Sequence, residues 1–408
     1  MLHLMLTGVL IGVVVLLWLP PFSELLCILT RRRVTPARSP IAELPRLLFL
    51  VPAHDEEQMI EGCVRSLLDM SYPADARRIV VIADNCTDAT ARLAAEQGVS
   101  ILERVDPEFG GKPRAIAWAL SQMDLREWDA CVIVDADSTV APSFASGLAQ
   151  LAPLNEIVFQ PNNLVLNEFE SWLTRLGGLL GRCRFQVTFP LKESAGLNCS
   201  IGNGMGIGTS LLLRDGWLSN SITEDSELYA VYTEAGVRIR LATAADIFSL
   251  ESRSLQEGAT QRRRWLAGRI RVMKDWGVRI VRSPRIGWHQ KLDMFVELGL
   301  SSPVLHLMIA FAVAAIALFG LPRAAGQWIA FVALASVSGI AVTTMVAIKR
   351  HPQPWRTLSS FFMLPVYAGW RLVVVLATLL TLRDTTWRRS ARGGAHVASA
   401  VPITDRPA

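Results

Sequence analysis

Asp135 and Asp137 stand one residue apart at the end of the apolar run Ala130-Cys131-Val132-Ile133-Val134. Two carboxylates so placed can share a hard divalent cation, Mg²⁺ or Mn²⁺, that also binds phosphate oxygens. Such a cation would neutralise the charge that builds on a departing diphosphate. A plainer reading is open as well: Asp and Ser cap chain reversals, so Asp135-Ala136-Asp137-Ser138 can be a turn. Asp84 closes another apolar run, where its carboxylate could accept hydrogen bonds from the edge of a nucleobase. Thr87 or Asp88, just beyond it, can cap a helix instead, but Asp84 lies before that cap. Gly110-Gly111-Lys112 joins flexible backbone to a cation suited to phosphate, without the GxxxxGK[ST] spacing of a nucleoside-triphosphate loop.

Thr223-Glu224-Asp225 opens a helical pattern (Leu228, Tyr229, Val231, Tyr232), and acids at that end gain from the helix dipole. The chemical alternative makes Asp225 a general base, taking the proton of an acceptor hydroxyl as it attacks a carbon opposite the diphosphate. One such displacement inverts that carbon. In Gln261-Arg262-Arg263-Arg264-Trp265 a guanidinium can clamp diphosphate oxygens bidentately and an indole offers a flat face to a sugar ring. A basic, aromatic membrane flank would read the same way. The run Gly202-Asn203-Gly204-Met205-Gly206-Ile207-Gly208 allows close approach of backbone to a ligand, or marks a turn at a strand edge.

These side chains need a frame. From Arg46 to about Leu250, short β-branched runs alternate with helical ones, the pattern of a parallel α/β layer. Strands are expected over 47–51, 78–83, 99–102 and 130–134, with helices over 56–70, 87–98 and 113–123. Ligands of such sheets bind at the carboxyl ends of the strands, and His54-Asp55-Glu56, Asp84-Asn85 and Asp135-Ala136-Asp137 all fall there.

The rest of the chain reads as membrane. Its 408 residues are 51% hydrophobic, more than a soluble enzyme of this size needs. The net charge of +5 is concentrated in Arg31-Arg32-Arg33, in the Gln261–Arg264 run and at Arg388, Arg389 and Arg392, beside apolar stretches. That favours an anionic membrane surface and not nucleic acid. Six cysteines without a CxxC pair support neither a disulfide framework nor a zinc site, consistent with a reducing, cytosolic catalytic region.

Residues 1–29 are long and apolar enough to cross a bilayer, and their basic residues follow the apolar core. We read a retained signal anchor with its amino terminus outside and residues 34–268 in the cytosol. Residues 269–300 carry Trp, Arg and Lys at the spacing of an amphipathic helix in the headgroup layer. Within 302–382, three spans are expected at 302–321, 328–348 and 361–382. Three crossings leave the basic tail, 383–408, outside, against the positive-inside rule, and Arg371 is costly at mid-membrane. The last stretch could therefore be re-entrant, interfacial or packed around a polar pathway. We expect the tail to be disordered.

Taken in order, Val51-Pro52-Ala53-His54-Asp55-Glu56-Glu57, Ala83-Asp84-Asn85-Cys86-Thr87-Asp88, Asp135-Ala136-Asp137, Thr223-Glu224-Asp225 and Gln261-Arg262-Arg263-Arg264-Trp265 resemble the family 2 glycosyltransferases. The resemblance covers about residues 45–270. It implies an α/β GT-A fold, a Rossmann-like nucleotide-sugar domain, flanked by transmembrane helices at both ends. It also implies Asp84 at the nucleobase, Asp135 and Asp137 at diphosphate and metal, and Asp225 as base, with Gln261, Arg264 and Trp265 near diphosphate and acceptor. Asp55, Glu57, Lys112 and Glu224 join the expected substrate- and nucleotide-binding set.

The surrounding helices look like those of the cellulose, hyaluronan, chitin-oligosaccharide and poly-N-acetylglucosamine synthases. Where processive members carry a Phe-Cys-Gly-Ser type acceptor motif, this chain has Gly202-Asn203-Gly204-Met205. The expected activity is inverting transfer from a UDP-type sugar to a glycan or lipid-linked acceptor in exopolysaccharide or cell-envelope synthesis. Its expected place is the inner, plasma membrane, multi-pass and in contact with membrane lipids, with room for polysaccharide-export partners. The rivals are transfer of a single sugar to a membrane lipid and a catalytically silent scaffold. Intact Asp135, Asp137, Asp225 and Trp265 argue against the scaffold.

Overall fold

Uninterrupted apolar runs suit strands covered on both faces, and in the computed structural model, which describes residues 1–32, 43–221 and 223–381, they form the middle of a sheet. The strands are β1 (Leu47–Ala53), β2 (Arg77–Asp84), β3 (Ser100–Arg104), β4 (Ala130–Ile133), β5 (Thr139–Val140), β6 (Val158–Val165), β7 (Gly206–Gly208) and β8 (Ile239–Ser249). They lie in the order β3-β2-β1-β4-β7-β6-β8-β5. Side chains alternate between faces: Leu48, Leu50, Val80 and Ile82 pack with Ile116, Tyr229 and Tyr232 on one side. Leu47, Phe49, Val51 and Val81 pack with Ile60, Val64, Leu67 and Phe144 on the other. Each such side chain removed from water contributes about 1.5–3 kcal/mol.

The expected parallel layer holds for β3, β2, β1 and β4. Beyond β4 the sheet is mixed, because β7 runs antiparallel to both β4 and β6, and β5 antiparallel to β8. Glycine makes β7 possible: a Cβ on Gly206 would stand 1.9 Å from the Phe159 ring, and one on Gly208 2.2 Å from the Asn155 carbonyl oxygen. The glycine run is thus a strand pressed against its neighbours, preceded by a turn at Gly204, whose φ is +78°.

Two helices start later than their apolar periodicity predicts. The first spans Ile60–Leu68 because the N–H groups of Glu56 and Glu57 are donated to Thr90 Oγ1 and Asp88 Oδ2. The second spans Thr90–Glu96 because the Thr87 N–H is held by the Asp55 carboxylate. The first turn of each is spent on bracing two neighbouring loops.

Among the described residues, four helices are long and apolar enough to cross a membrane: His3–Thr30, Pro303–Gly320, Arg323–Lys349 and Pro354–Leu380. Leu10 and Leu17 of the first pack on Ala310, Val313, Ala314, Ala317, Ala330 and Ala333. Small residues permit this approach; a Cβ on Gly326 would stand 2.4 Å from the Ala317 carbonyl oxygen. Phe311, Phe319, Phe331 and Val373 face outward, as a lipid-facing surface requires. Arg371 does not: it is buried.

The segment expected as one amphipathic piece over 269–300 is the second half of helix Leu255–Arg282, then a turn and helix Trp288–Phe295. Val278, Val281 and Trp288 on it are exposed. Arg33 and the basic tail at 383–408 lie outside the described residues.

Candidate active site

The Asp135 triplet forms a turn in the wall of a cavity. Ser138 donates its N–H to the Asp135 carbonyl at 3.0 Å, closing a turn, and the carboxylates of Asp135 and Asp137 line a cavity of about 1040 Å³. Asn203 holds this turn in place. Its Oδ1 accepts from the Asp135 N–H at 3.0 Å, and its Nδ2 donates to Ser138 Oγ at 2.7 Å and Ser249 Oγ at 2.9 Å. Asn203 was hidden in the glycine run, where its side chain gave no periodic signal.

Lys112 opens the helix Lys112–Ser121 behind Gly111, whose φ of +117° only glycine tolerates well. The ammonium lies 2.7 Å from Asp135 Oδ1 and 2.7 Å from Glu224 Oε1. Burial alone would lower its pKa, but the two carboxylates prevail and hold it above the usual lysine range.

Asp225 lies in the first turn of helix Glu224–Glu234. Burial first, and the Glu224 charge second, push its carboxyl up to about 6, while the Ser226 N–H, donated to Asp225 Oδ1 at 2.6 Å, works in the opposite direction. A carboxylate with that pKa is charged at neutral pH and a better proton acceptor than an ordinary aspartate. The Gln261–Trp265 helix comes close enough to share the site because Gly268 faces Thr223; a Cβ there would stand 2.2 Å from Thr223 Oγ1.

Within that helix the arginines divide. Arg262 Nη2 donates to Glu251 Oε1 at 2.8 Å, and its guanidinium lies 5.8–5.9 Å from the rings of Trp265, Tyr367 and Trp370. It pins the helix to the apolar helix Leu364–Leu380. Arg264 lines the cavity and its Nε finds no partner. Gln261 and the 37% exposed Trp265 line the same space.

Three expected ligands stand apart from this cavity. Asp84 is buried, with Oδ1 2.6 Å from Arg104 Nη1 and Oδ2 accepting the Gly111 N–H at 3.0 Å. It ties β2 to β3 and to the loop that presents Lys112. Asp55 accepts from the Thr87 N–H at 2.6 Å, and Glu57 from the Ala89 N–H at 3.1 Å. Asp55, Cys86 and Asp88 each bring one ligand atom within 4.8 Å of the others, but the carboxylates of Asp55 and Asp88 already serve this brace.

The far wall of the cavity carries a charged group no motif announced. Lys192 Nζ lies 3.0 Å from Asp293 Oδ2 and 2.8 Å from Glu297 Oε2, and Glu297 also accepts from Arg184 and, at 3.0 Å, from Ser200 Oγ. Arg184, Lys192 and Ser200 hold Glu297 below the usual carboxylate range despite its burial. Beyond them the long apolar helices contribute Val304, Leu307, Ile340, Met345 and Ile348, with Arg371 among them.

Comparison with known proteins bears on family and fold. The family model "Glycosyltransferase like family 2" matches residues 45–268. "Probable glycosyltransferase YdaM" of Bacillus subtilis (strain 168) is 25% identical over 255 residues, 58% of each chain. "Beta-monoglucosyldiacylglycerol synthase" of Nostoc sp. (strain PCC 7120 / SAG 25.82 / UTEX 2576) is 26% identical over 62% of this chain and 55% of its own. These matches therefore span little more than half the length of either relative. Among solved structures, a mannosyltransferase of Pyrobaculum calidifontis in complex with GDP-Man and Mn²⁺ superposes with a TM-score of 0.55 at 16% identity, covering 93% of this chain and 96% of that one. That likeness shows a shared GT-A fold. With the family model covering more than half of its length, the chain belongs to glycosyltransferase family 2.

Proposed function

We propose that the chain transfers a single sugar from a nucleotide-diphosphate sugar, UDP-linked by preference, to an acceptor carried by a membrane lipid, with inversion. One observation carries this reading: a single cavity is lined both by Asp135, Asp137 and Asp225 and by the long apolar helices Pro303–Gly320 and Arg323–Lys349. A lipid can keep its chains against those helices while its head group reaches the carboxylates. The name of the Nostoc relative, a synthase of a glucosylated diacylglycerol, supports a lipid acceptor over a growing polymer.

In the proposed reaction the acceptor hydroxyl gives its proton to Asp225 as its oxygen attacks the anomeric carbon. The bond to the diphosphate breaks on the opposite face, and one displacement inverts the centre. Arg264 clamps the diphosphate and Trp265 lies against the sugar or acceptor. Lys112 and Glu224 position Asp135, while Asp84, Asp55 and Glu57 shape the nucleotide pocket through the loops they brace. Asp135 and Asp137 suit a hard cation: both are carboxylates on one turn facing the cavity, and a Lys112 ammonium already sits on one of them. Mg²⁺ or Mn²⁺ there would neutralise charge on the diphosphate, and the Mn²⁺ of the mannosyltransferase favours that assignment. The site would face the cytosol from a multi-pass protein of the plasma membrane.

Membranes containing the chain, incubated with a panel of labelled UDP-sugars, should yield label that extracts with organic solvent and carries one sugar per lipid. Label retained in a large, solvent-insoluble product would overturn the lipid reading in favour of polymer synthesis.

A further inference from the structure

Three guanidiniums on the cavity wall have no carboxylate of their own. Of the other cations lining it, Lys112 is matched with Asp135 and Glu224, Arg262 with Glu251, and Lys192 and Arg184 with Glu297. Arg264, Arg269 and Arg371 make no ion pair among the described residues, and the Nε atoms of Arg264 and Arg269 find no hydrogen-bond partner. Arg269 has one hydrogen bond, from Nη1 to Ser301 Oγ at 2.5 Å. Arg371, only 6% exposed, points from the last span into the cavity.

These groups feel one another. Burial first, then the charges of Arg184 and Arg371, press the Arg269 pKa down to about 10, while Glu297 and Asp225 pull it up. Arg269 thus stays charged at neutral pH, within electrostatic reach of Glu297, Arg371 and Asp225. Like charges with no ion-pair partner of their own are costly where water is partly excluded, and a bound anion would offset that cost. The donor diphosphate accounts for Arg264. It does not account for Arg269, which lies roughly 7.5 Å further along the helix by its rise per residue, beside Ser301 at the entry to span Pro303–Gly320.

We propose that Arg269 and Arg371 bind the phosphate of the lipid acceptor, so that the acceptor is a phosphate-bearing lipid with a free hydroxyl and not a neutral diacylglycerol. This rests on the lipid reading above and narrows it. Guanidinium forks match phosphate oxygens, and the neighbourhood of Asp225 places the head-group hydroxyl at the base. The hydroxyl proton passes to Asp225, the new bond joins its oxygen to the anomeric carbon, and the nucleoside diphosphate leaves with the electron pair. The lipid phosphate is unchanged. Two sources share this chemistry, a glycerophospholipid with a hydroxylated head group and a sugar-bearing polyprenyl diphosphate.

Native mass spectrometry of the full chain in detergent, titrated with phosphatidylglycerol, a polyprenyl diphosphate-sugar or diacylglycerol, tests binding without any donor. One of the two phosphate-bearing lipids should bind at least tenfold more tightly than diacylglycerol, and which one does identifies the source. Arg269→Gln and Arg371→Gln should each remove that preference with UDP affinity unchanged, and Arg371→Lys should keep part of it. The exposed Arg323→Gln should change nothing. Equal binding of diacylglycerol, or a loss no larger than in Arg323→Gln, overturns the proposal. So does a parallel loss of UDP affinity, which would assign these arginines to the donor. Proteoliposome assays then read the acceptor KM, expected to rise at least tenfold in Arg269→Gln. Selective phospholipid binding with no transfer from any UDP-sugar would sink the transferase reading while leaving the phosphate site established.

Discussion

Lys112 Nζ and Asp135 Oδ1 lie 2.7 Å apart, so an ammonium is already seated on a carboxylate that the proposed chemistry assigns to a divalent cation. Two unit charges about 4 Å apart repel by about 4 kcal/mol at the effective dielectric of a protein surface. Lys112→Gln is therefore expected to bind Mn²⁺ more tightly in the absence of donor, with about a thousandfold as the upper bound, yet to turn over more slowly for want of a phosphate-facing charge. Titration of Mn²⁺ followed by electron paramagnetic resonance measures the first effect and a steady-state assay the second; weaker Mn²⁺ binding would contradict the competition.

Removal of divalent cations should stop transfer. Excess EDTA is expected to abolish product formation, and added Mg²⁺ or Mn²⁺ to restore it in the wild type but not in Asp137→Asn. Undiminished turnover in EDTA would remove the metal role of Asp135 and Asp137.

Asp225 sets a pH profile. With its carboxyl pushed up to about 6 by burial and by Glu224, the base form is lost as pH falls through that value, so kcat should climb between pH 5 and 7 and then level off. Asp225→Asn should cost about 10²–10⁴-fold in rate with UDP affinity intact. Stability moves the other way. A folded pKa above the unfolded value of 3.8 stabilises the fold at acid pH, and that contribution is lost as pH rises through about 6. The Asn variant should thus melt above wild type at pH 8, and the two should converge at acid pH.

Arg262 and Arg264, two residues apart, should behave oppositely. Arg262→Ala breaks the pair with Glu251 and empties the aromatic stack, and a loss of about 3 kcal/mol is expected. Thermal melts of Arg262→Ala, Glu251→Gln and the double variant should give less than the sum of the singles. Arg264→Ala, by contrast, should leave the melting temperature nearly unchanged and weaken UDP binding.

Gly206→Ala places a methyl 1.9 Å from the Phe159 ring. The overpacking should cost about 1–3 kcal/mol, and Phe159→Leu should recover part of it. A melt of the double variant no higher than that of Gly206→Ala would contradict the contact.

The parallel strands β1, β2 and β4 were legible because each is buried on both faces over most of its length and so reads as one apolar run, and the carboxylates at their ends stand out for the same reason. β7 was not. Gly-Ile-Gly carries almost no side-chain pattern, and what makes it a strand is the absence of atoms against Phe159 and Asn155. Local spacing also misled at the two shortened helices, where Asp55 and Asp88 compete for backbone N–H groups from loops some thirty residues away. Asp84 could be recognised as unusual, but its partner Arg104 lies on another strand and could not. The group around Glu297 draws on residues more than a hundred positions apart, beyond the reach of any motif. Arg371 was the useful exception, since its cost in an apolar run is visible before its surroundings are.

The cavity's two linings also give the two substrates different dimensionality. On the proposed reading a nucleotide sugar arrives from bulk solution, whereas a lipid acceptor arrives by lateral diffusion and its product departs the same way. Acceptor saturation is then set by mole fraction in the leaflet, and diluting the enzyme and its lipid together in buffer would leave it unaltered. Adding inert lipid would lower it.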